Sequence, residues 1–384
     1  MIHNLRSKLQ NLPKSEIKKE SPPKEFNCSV FIKEFDTAAD GLSSFISCNI
    51  SYLKTACKID DSQNIRPEEI VFFDTETTGL AGGTGTVAFL VGAGRLEAGK
   101  LVVRQFLMND YHQEPSMLEE FRKALDGAKA VATYNGKSFD APLIKTRSIL
   151  NRININLDDF IHFDLLHACR RLYKLRLERM KLTDIEQHIL GMEREDDIPG
   201  SEIPEIFFNY LKYGESNLLD KVIEHNLNDI VSLAKISGIL AQVYASPKDA
   251  GCTEDAFCAA RTLLKLRRYS QAEAVFDALK DELEEAKSEL AYLKLTIGRY
   301  DDAIKLFEEL SSRSRFDASY DIELAKIYEH KMKNYELAVN YALKAKEKTF
   351  NNRLLGRQSN IIDDVEKRIK RLNLKLERER ECRY

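Results

Sequence analysis

No stretch of the chain approaches the roughly 20 consecutive apolar residues that a membrane helix needs, so a membrane-spanning role is not expected. Residues 1–20, MIHNLRSKLQNLPKSEIKKE, lack the apolar core of a signal peptide. No two cysteines stand at C-x-x-C spacing: the seven, at positions 28, 48, 57, 169, 252, 258 and 382, are scattered and odd in number. That speaks against a zinc site and a disulfide framework, and leads to the expectation of reduced thiols in a cytoplasmic protein. Net charge is scarce too, at −3 over 384 residues, so any grip on nucleic acid has to come from local basic patches.

What is present is globular: 43% hydrophobic and 31% charged residues, in a length that suits two or three domains. Residues 1 to about 30 mix Lys, Glu, Ser and Pro and read as a short helix and a flexible tether. Residues 31–65 are ambiguous, with a strand expected within SSFISCNISYL; the whole of 1–65 is taken as an N-terminal extension. From 66 the pattern sharpens. EEIVFFD reads as a strand, and TVAFLVGAGRLEAGKLVVRQFLMN as two strands around a turn near Glu97 to Lys100. PSMLEEFRKALDG, with Met117, Leu118, Phe121 and Leu125 at helical spacing, is an amphipathic helix. Strand AKAVATYN, helix APLIKTRSILNR, strand-then-helix DFIHFDLLHACRRLYKL, helix LTDIEQHILGM and a long helix ending at VY follow. Residues 66–245 therefore predict a mixed sheet flanked by helices.

After the linker-like ASPKDAG the strand signal vanishes. Tyr269, Tyr300 and Tyr335 recur at intervals of 31 and 35, each followed three residues later by an alanine, Ala272, Ala303 or Ala338. Those intervals bracket the roughly 34-residue period of tetratricopeptide helix pairs. Ala260, Ala291 and Ala325 supply small residues where paired helices pack closely. Residues 250–384 are thus expected to form an all-α, tetratricopeptide-like domain, an ordinary helical bundle being the alternative. Its basic tail either caps the array or touches a polyanion.

In VFFDTETTGL the chain ends an apolar strand on Asp74 and Glu76. Two residues apart on a strand, both acids leave the same face, where they repel unless a divalent cation bridges them. In TYNGKSFDAPLI, Asp140 opens a helix; alone, an Asp there is a helix cap. In EHNLNDIVSLAK, His225 and Asp229 are four apart and share one helix face, a spacing that also suits a surface hydrogen bond.

Together, DTETTG, YNGKSFD and HNLND resemble in order the three motifs of the DEDD exonucleases, a superfamily with the ribonuclease-H-like fold. The resemblance covers roughly residues 66–245. It departs in one respect: a histidine stands four before the last Asp, where the histidine branch of the superfamily spaces it five and the tyrosine branch has tyrosine at four. That combination, with GLAGGTGTVAFLVG and DIPGSEIPEIFFNYL, resembles the mitomycin-repair exonucleases of the YprB type, which also carry tetratricopeptide-like C-terminal repeats.

The resemblance implies a 3′–5′ DNA exonuclease that hydrolyses phosphodiesters with two Mg²⁺ or Mn²⁺ ions, in DNA repair beside a helicase. An exoribonuclease, or an inert scaffold acting through its repeats, are the competing readings. Asp74, Glu76, Asp140 and Asp229 would be metal ligands, an all-oxygen set that suits hard cations. His225 would be the general base, or a hydrogen-bond donor to the scissile phosphate. Thr77 and Thr78, with the glycines after them, would admit the terminal nucleotide, and Tyr134 and Asn135 would wall it. Arg170, Arg171 and Lys174, in a run with Arg176, Arg179 and Lys181 against the single acid Glu178, would grip phosphates, unless the run is a solvated helix face. His162, Asp164 and His167 are read as structural or supporting.

Overall fold

The computed structural model describes residues 27–60, 62–79, 85–214, 217–354 and 362–381. The helix and tether expected over residues 1–26, the glycine-loop tip at 80–84 and Cys382 lie outside the described residues.

Six strands make one sheet: β1 (Ser29–Asp36), β2 (Ile70–Thr77), β3 (Ala88–Glu97), β4 (Lys100–Leu107), β5 (Ala130–Thr133) and β6 (Ile161–Asp164). Their spatial order is β1-β4-β3-β2-β5-β6. Pairing is antiparallel from β1 through β4 and β3 to β2, then parallel from β2 to β5 and β5 to β6. The β3–β4 hairpin turns on Ala98 and Gly99, both at positive φ, as a two-residue turn matched to strand twist requires.

β2 is the central strand because its first four side chains are apolar and wholly buried on alternate faces. Ile70 and Phe72 pack with α6 (Asn217–Ala245) through Leu227 and Ile230, and with α1 (Ile50–Cys57) through Leu53. Val71 and Phe73 pack on the other face with Phe121 of α2 (Glu114–Ala124), Ile144 of α3 (Asp140–Leu150) and Phe207 of α5 (Ile203–Tyr213). At about 1.5–3 kcal/mol for each large side chain buried, those residues fix the strand's register.

α4 (Leu165–Tyr173) follows β6 directly. The long α6 lies across β2, β3 and β4, and two glycines let it in. A Cβ at Gly92 would stand 2.2 Å from Asn226 Oδ1, and one at Gly94 2.4 Å from Ile230 Cγ2. Side chains there would lift α6 off the sheet.

Two differences from the sequence reading fall before residue 66. Ser29–Asp36 is not a tether but an edge strand of the sheet, held along its whole length by β4. SSFISCNISYL is helical, in a turn at Ser43–Ile46 and in α1, and no strand runs through it. Its serines and isoleucines suit a strand, but Asn49 caps α1 by accepting from Ser51 N–H, and Phe45 of the preceding turn joins Ile50 and Leu53 of α1 in one apolar cluster with α6.

The region after 250 is helical: α7 (Thr253–Lys265), α8 (Tyr269–Leu279), α9 (Glu284–Thr296), α10 (Tyr300–Arg313), α11 (Ser319–His330), α12 (Tyr335–Leu354) and α13 (Ile362–Glu381). Each helix packs on the next. Tyr269, Tyr300 and Tyr335 each begin the second helix of a pair, and the alanines at 260, 272, 291, 303, 325 and 338 are all fully buried. The basic α13 closes the stack: Arg368, Arg371 and Lys375 converge on buried Glu329 of α11 at 2.8–2.9 Å, which gives its charge a capping role. At the other end the stack has no seam with the sheet. Phe257 and Ala260 of α7 and Phe276 of α8 belong to the same apolar cluster as Phe72, Leu172 and Tyr244. Among the described residues, no helix is long and apolar enough to cross a membrane.

Candidate active site

The parallel pairing of β2 with β5 ends at Phe72–Ala132, while β2 continues through Asp74, Thr75, Glu76 and Thr77 beside β3. The strand thus carries its acids past the end of its parallel neighbour, where α3 begins. Alternation then sorts the side chains: Asp74 and Glu76 turn toward α6, and Thr75 toward α3. The Thr75 hydroxyl donates to Asp140 Oδ1 at 2.5 Å, and Asp140 is the first residue of α3. On α6, buried Asn226 donates through Nδ2 to Asp74 Oδ2 at 3.0 Å, while its Oδ1 accepts from Gln105 Nε2 at 2.9 Å. Asp229 and His225 lie one turn apart on the same helix, with His225 Nε2 3.9 Å from Asp229 Oδ2.

The four acids named from the sequence lie near enough to feel one another, the charge of Asp229 raising Asp74, Glu76 and Asp140. Asp74 is pushed well above the carboxylate range by loss of water first, then by Asp229, Asp140 and Glu76; the Asn226 hydrogen bond opposes this. Glu76 rises for the same reasons, with Asp229 and Asp140 its strongest like-charged neighbours. Asp140 is pushed up to about 6, mainly by burial and against the hydrogen bond from Thr75. Asp229 is raised by burial, against the pull of Arg194 and His225. Four carboxylates that each resist ionising are an electrostatic deficit, and an added cation would relieve it.

One cationic side chain that no sequence motif pointed to already stands among them. Arg194 donates through Nη2 to Asp229 Oδ1 and to Glu186 Oε1, both at 2.5 Å, in a setting where its own side chain is 9% exposed. Glu186, in a π-helical turn over Glu186–Leu190, is buried and also accepts from the Ser232 hydroxyl. Asp197 is the second unforeseen residue: its Oδ1 lies 2.7 Å from His225 Nδ1. Arg194 Nη1 lies farther from that nitrogen, at 3.3 Å, so Asp197 fixes the tautomer, with Nδ1–H donating and Nε2 left as an acceptor facing Asp229. Burial works to raise Asp197, but the hydrogen bond from His225 and the charge of Arg194 leave it below the usual range.

Beside the acids opens a pocket of 480 Å³, lined by Glu76, Thr77, Asp140, Phe139, Leu143 and Ile203 among others. Phe139, immediately before Asp140, is 56% exposed there. The pocket thus has a polar wall carrying Glu76 and Asp140 and an apolar wall with an exposed ring. Thr77 lines this pocket, its hydroxyl donating to Gly79 O. Thr78 instead ties the glycine loop, its Oγ1 accepting from Val87 N–H.

The other residues named from the sequence stand apart. Tyr134 spends its hydroxyl on Met180 O and packs against the core. Asn135 takes a positive φ of 67° and donates its backbone N–H to Asp164, which also receives Lys137 N–H and so shapes the turn that leads to Asp140. His162 bonds Thr133 Oγ1 and is pushed down to about 4, chiefly by burial. Arg170, Arg171 and Lys174 line a separate small pocket against α7. Among the described residues, no group of three or more His, Cys, Asp or Glu side chains is already drawn together as a metal cage. The reason is local: Asp229 is turned to Arg194 and Asp140 to Thr75.

A family model described as the RNase_H superfamily matches residues 71–241. "Uncharacterized protein YprB" of Bacillus subtilis (strain 168) is 35% identical over 285 residues, covering 71% of this chain and 68% of that one. Among solved structures, a family B DNA polymerase from Pyrobaculum calidifontis aligns with 55% of this chain and 30% of its own, at 14% identity and a TM-score of 0.38.

Proposed function

The chain belongs to the RNase H superfamily, and from that premise we propose that it is a metal-dependent 3′–5′ exonuclease acting on DNA, in repair. The observation that carries the proposal is the placing of Asp74, Glu76, Asp140 and Asp229 about the end of β2, all four buried and raised first by loss of water, with Glu76 and Asp140 on the wall of a pocket whose other side is apolar. Arg194 hydrogen-bonds Asp229 and its charge also eases Glu76, but among the described residues it is no partner to Asp74 or Asp140.

The donor set is oxygen only and without thiolate, which fits Mg²⁺ or Mn²⁺. Asp74, Glu76, Asp140 and Asp229 would hold two such ions. When bound, divalent ions supply an activated water and stabilise the charge on the phosphorus oxygens and the leaving oxygen. The chain's own residues do the rest. His225, its Nδ1–H committed to Asp197, presents Nε2 to take the proton of the attacking water. Phe139 stacks on the terminal base, and Thr77 borders the sugar. Asn226 holds Asp74 against the repulsion of its neighbours and ties it through Gln105 to β4.

The test is purified protein beside its Asp74→Ala and His225→Ala variants, on 5′-labelled single-stranded DNA, duplex DNA and RNA, with Mg²⁺, Mn²⁺ or EDTA. A metal-dependent ladder that shortens from the 3′ end and vanishes in Asp74→Ala is expected on DNA. A stronger ladder on RNA would change the polymer. No cleavage of any substrate would refute the enzyme.

A further inference from the structure

α4 starts at Asp164, which shapes the turn before Asp140, and ends in a concentration of positive charge. Arg170, Arg171 and Lys174 at its far end meet Lys58 at the end of α1 and Arg261 and Lys265 of α7 around a cavity of 90 Å³. No acid lines that cavity. Arg261 pairs at its rim with Glu289, and Arg171 gives one N–H to Ala56 O. Lys58, Arg170, Lys174 and Lys265 carry no ion pair among the described residues. Arg171 Nε is buried and, among the described residues, has no hydrogen-bond partner.

Six cations drawn from three separate elements repel one another, and such an arrangement is not what packing alone selects. Lys58 adds to this. It ends α1 at a φ of 56°, where glycine is the usual residue, so a lysine is kept at a position that disfavours side chains.

The position is informative as well. Asp164, at the end of β6 just before α4, accepts from the backbone of the turn that leads to Asp140, so α4 runs from the acid side of the molecule to the cavity. From Asp164 to Lys174 along α4 is about 15 Å at the helical rise of about 1.5 Å per residue, the span of a few nucleotides of extended single strand. Exposed Lys137 donates its backbone N–H to Asp164 at the acid-side end of this span.

We propose that this cavity holds a backbone phosphate of the nucleic-acid strand whose 3′ end lies in the acid pocket, and that α7 of the helical region is part of the substrate track. The inference rests on the reading of the acid site as an exonuclease. It makes Arg171 the inner ligand, with Lys58, Lys265 and Arg261 contributed by elements outside the nuclease motifs. Contacts of this kind are indifferent to base sequence and sensitive to salt. They also act only on strands long enough to reach the cavity from the site.

The experiment uses the full chain in EDTA, so that nothing is cleaved. Binding of fluorescein-labelled single-stranded DNA of 3, 6 and 12 nucleotides is followed by anisotropy across a salt series, for the wild type and for a triple variant, Arg170→Ala, Lys174→Ala and Lys265→Ala. These exposed side chains make no ion pair among the described residues, and an unchanged melting temperature checks the fold. Lengthening the strand past the cavity is expected to tighten binding to the wild type but not to the variant, so that the 12-mer loses about tenfold or more. The salt slope should fall by about 0.7 for the one phosphate contact removed. Equal affinities and slopes in the two proteins would overturn the inference while leaving the exonuclease standing, as its ladder assay shows separately. Loss of 12-mer binding in the variant, with no cleavage by the wild type, would leave a strand-binding surface but overturn the seating of the 3′ end in the acid pocket, together with the exonuclease. Inorganic phosphate or pyrophosphate binding in the cavity without any strand-length effect would also overturn it, leaving a small-anion site.

Discussion

Replacing Asp140 by asparagine should stabilise the metal-free protein while abolishing its activity, and the size of the effect follows from the site. Asp140 is buried, and its carboxyl holds a proton up to about pH 6 in the folded chain against an ordinary value of 3.8. One pH unit of displacement is worth about 1.4 kcal/mol, so keeping Asp140 ionised at neutral pH costs the native state about 3 kcal/mol. Asparagine carries no charge and keeps an oxygen for the Thr75 hydroxyl. The sign is set by the raised value. Below pH 3.8 folded and unfolded forms are both protonated and the residue costs nothing; the penalty grows between 3.8 and about 6 and is constant above. The variant lacks that loss. Thermal melts in EDTA should therefore coincide near pH 3.5 and separate by about 4 °C at pH 7.5, with the variant higher. Mg²⁺ or Mn²⁺ should raise the wild type toward the variant and leave the variant less affected. A variant that melts lower at pH 7.5 in EDTA, or a gap that ignores pH, would refute the account of Asp140 as one of a set of acids that lacks its cation.

Four further outcomes are expected. Asp197→Ala should lower kcat about 10- to 100-fold with little change in KM and shift the lower limb of the pH–rate profile, since only the tautomer and orientation of His225 are released; an unchanged profile would remove Asp197 from the site. Phe139→Ala should raise KM about tenfold with the melting temperature unmoved, the loss of about 1–3 kcal/mol of base stacking from an exposed ring. Gly92→Ala should destabilise the chain by about 2 kcal/mol or more in urea unfolding, because its methyl group lands on Asn226, and it should lower activity by disturbing Asp74. In Glu329→Gln, α13 should become sensitive to proteolysis; in the wild type, where Glu329 is held down at about 2 despite burial, the same loosening should come only as pH falls from 4.5 toward 2.

The legible parts of this protein are those where one physical rule acts alone. IVFF followed by D-T-E announces a buried strand that ends in paired acids, because strand alternation puts Asp74 and Glu76 on one side whatever surrounds them. The tyrosine and alanine recurrences mark helix starts and close contacts in the stack, because a packed helix pair tolerates only small residues at its crossing. β1 escaped notice because it is an edge strand: Val30 to Glu34 are exposed, so no alternation of apolar and polar residues is needed. Asn226, between His225 and Asp229, reads as a spacer in HNLND, and only the bare backbone of Gly92 on another strand shows that it is buried against the sheet. Arg194, Glu186 and Asp197 come from a connecting segment more than 25 residues before α6 reaches Asp229. Charged residues in MEREDD look like solvated loop, and their partners are set by tertiary folding alone. Phe139 likewise passes as a linker before the helix-opening Asp140, although an exposed phenylalanine next to an acid is a signal that could have been weighed.

Because Phe257 and Phe276 share their apolar surroundings with Phe72 and Tyr244, the stack of helices is bolted to the catalytic body instead of hanging from it. Pro247–Asp249 is a corner and not a hinge. The first helices of the stack are thereby fixed relative to β2 and Asp74, with no loose tether between them. Cutting the chain after the corner would not liberate a small nuclease; it would uncover the sides of Leu172, Tyr173 and Tyr244 that α7 now keeps dry.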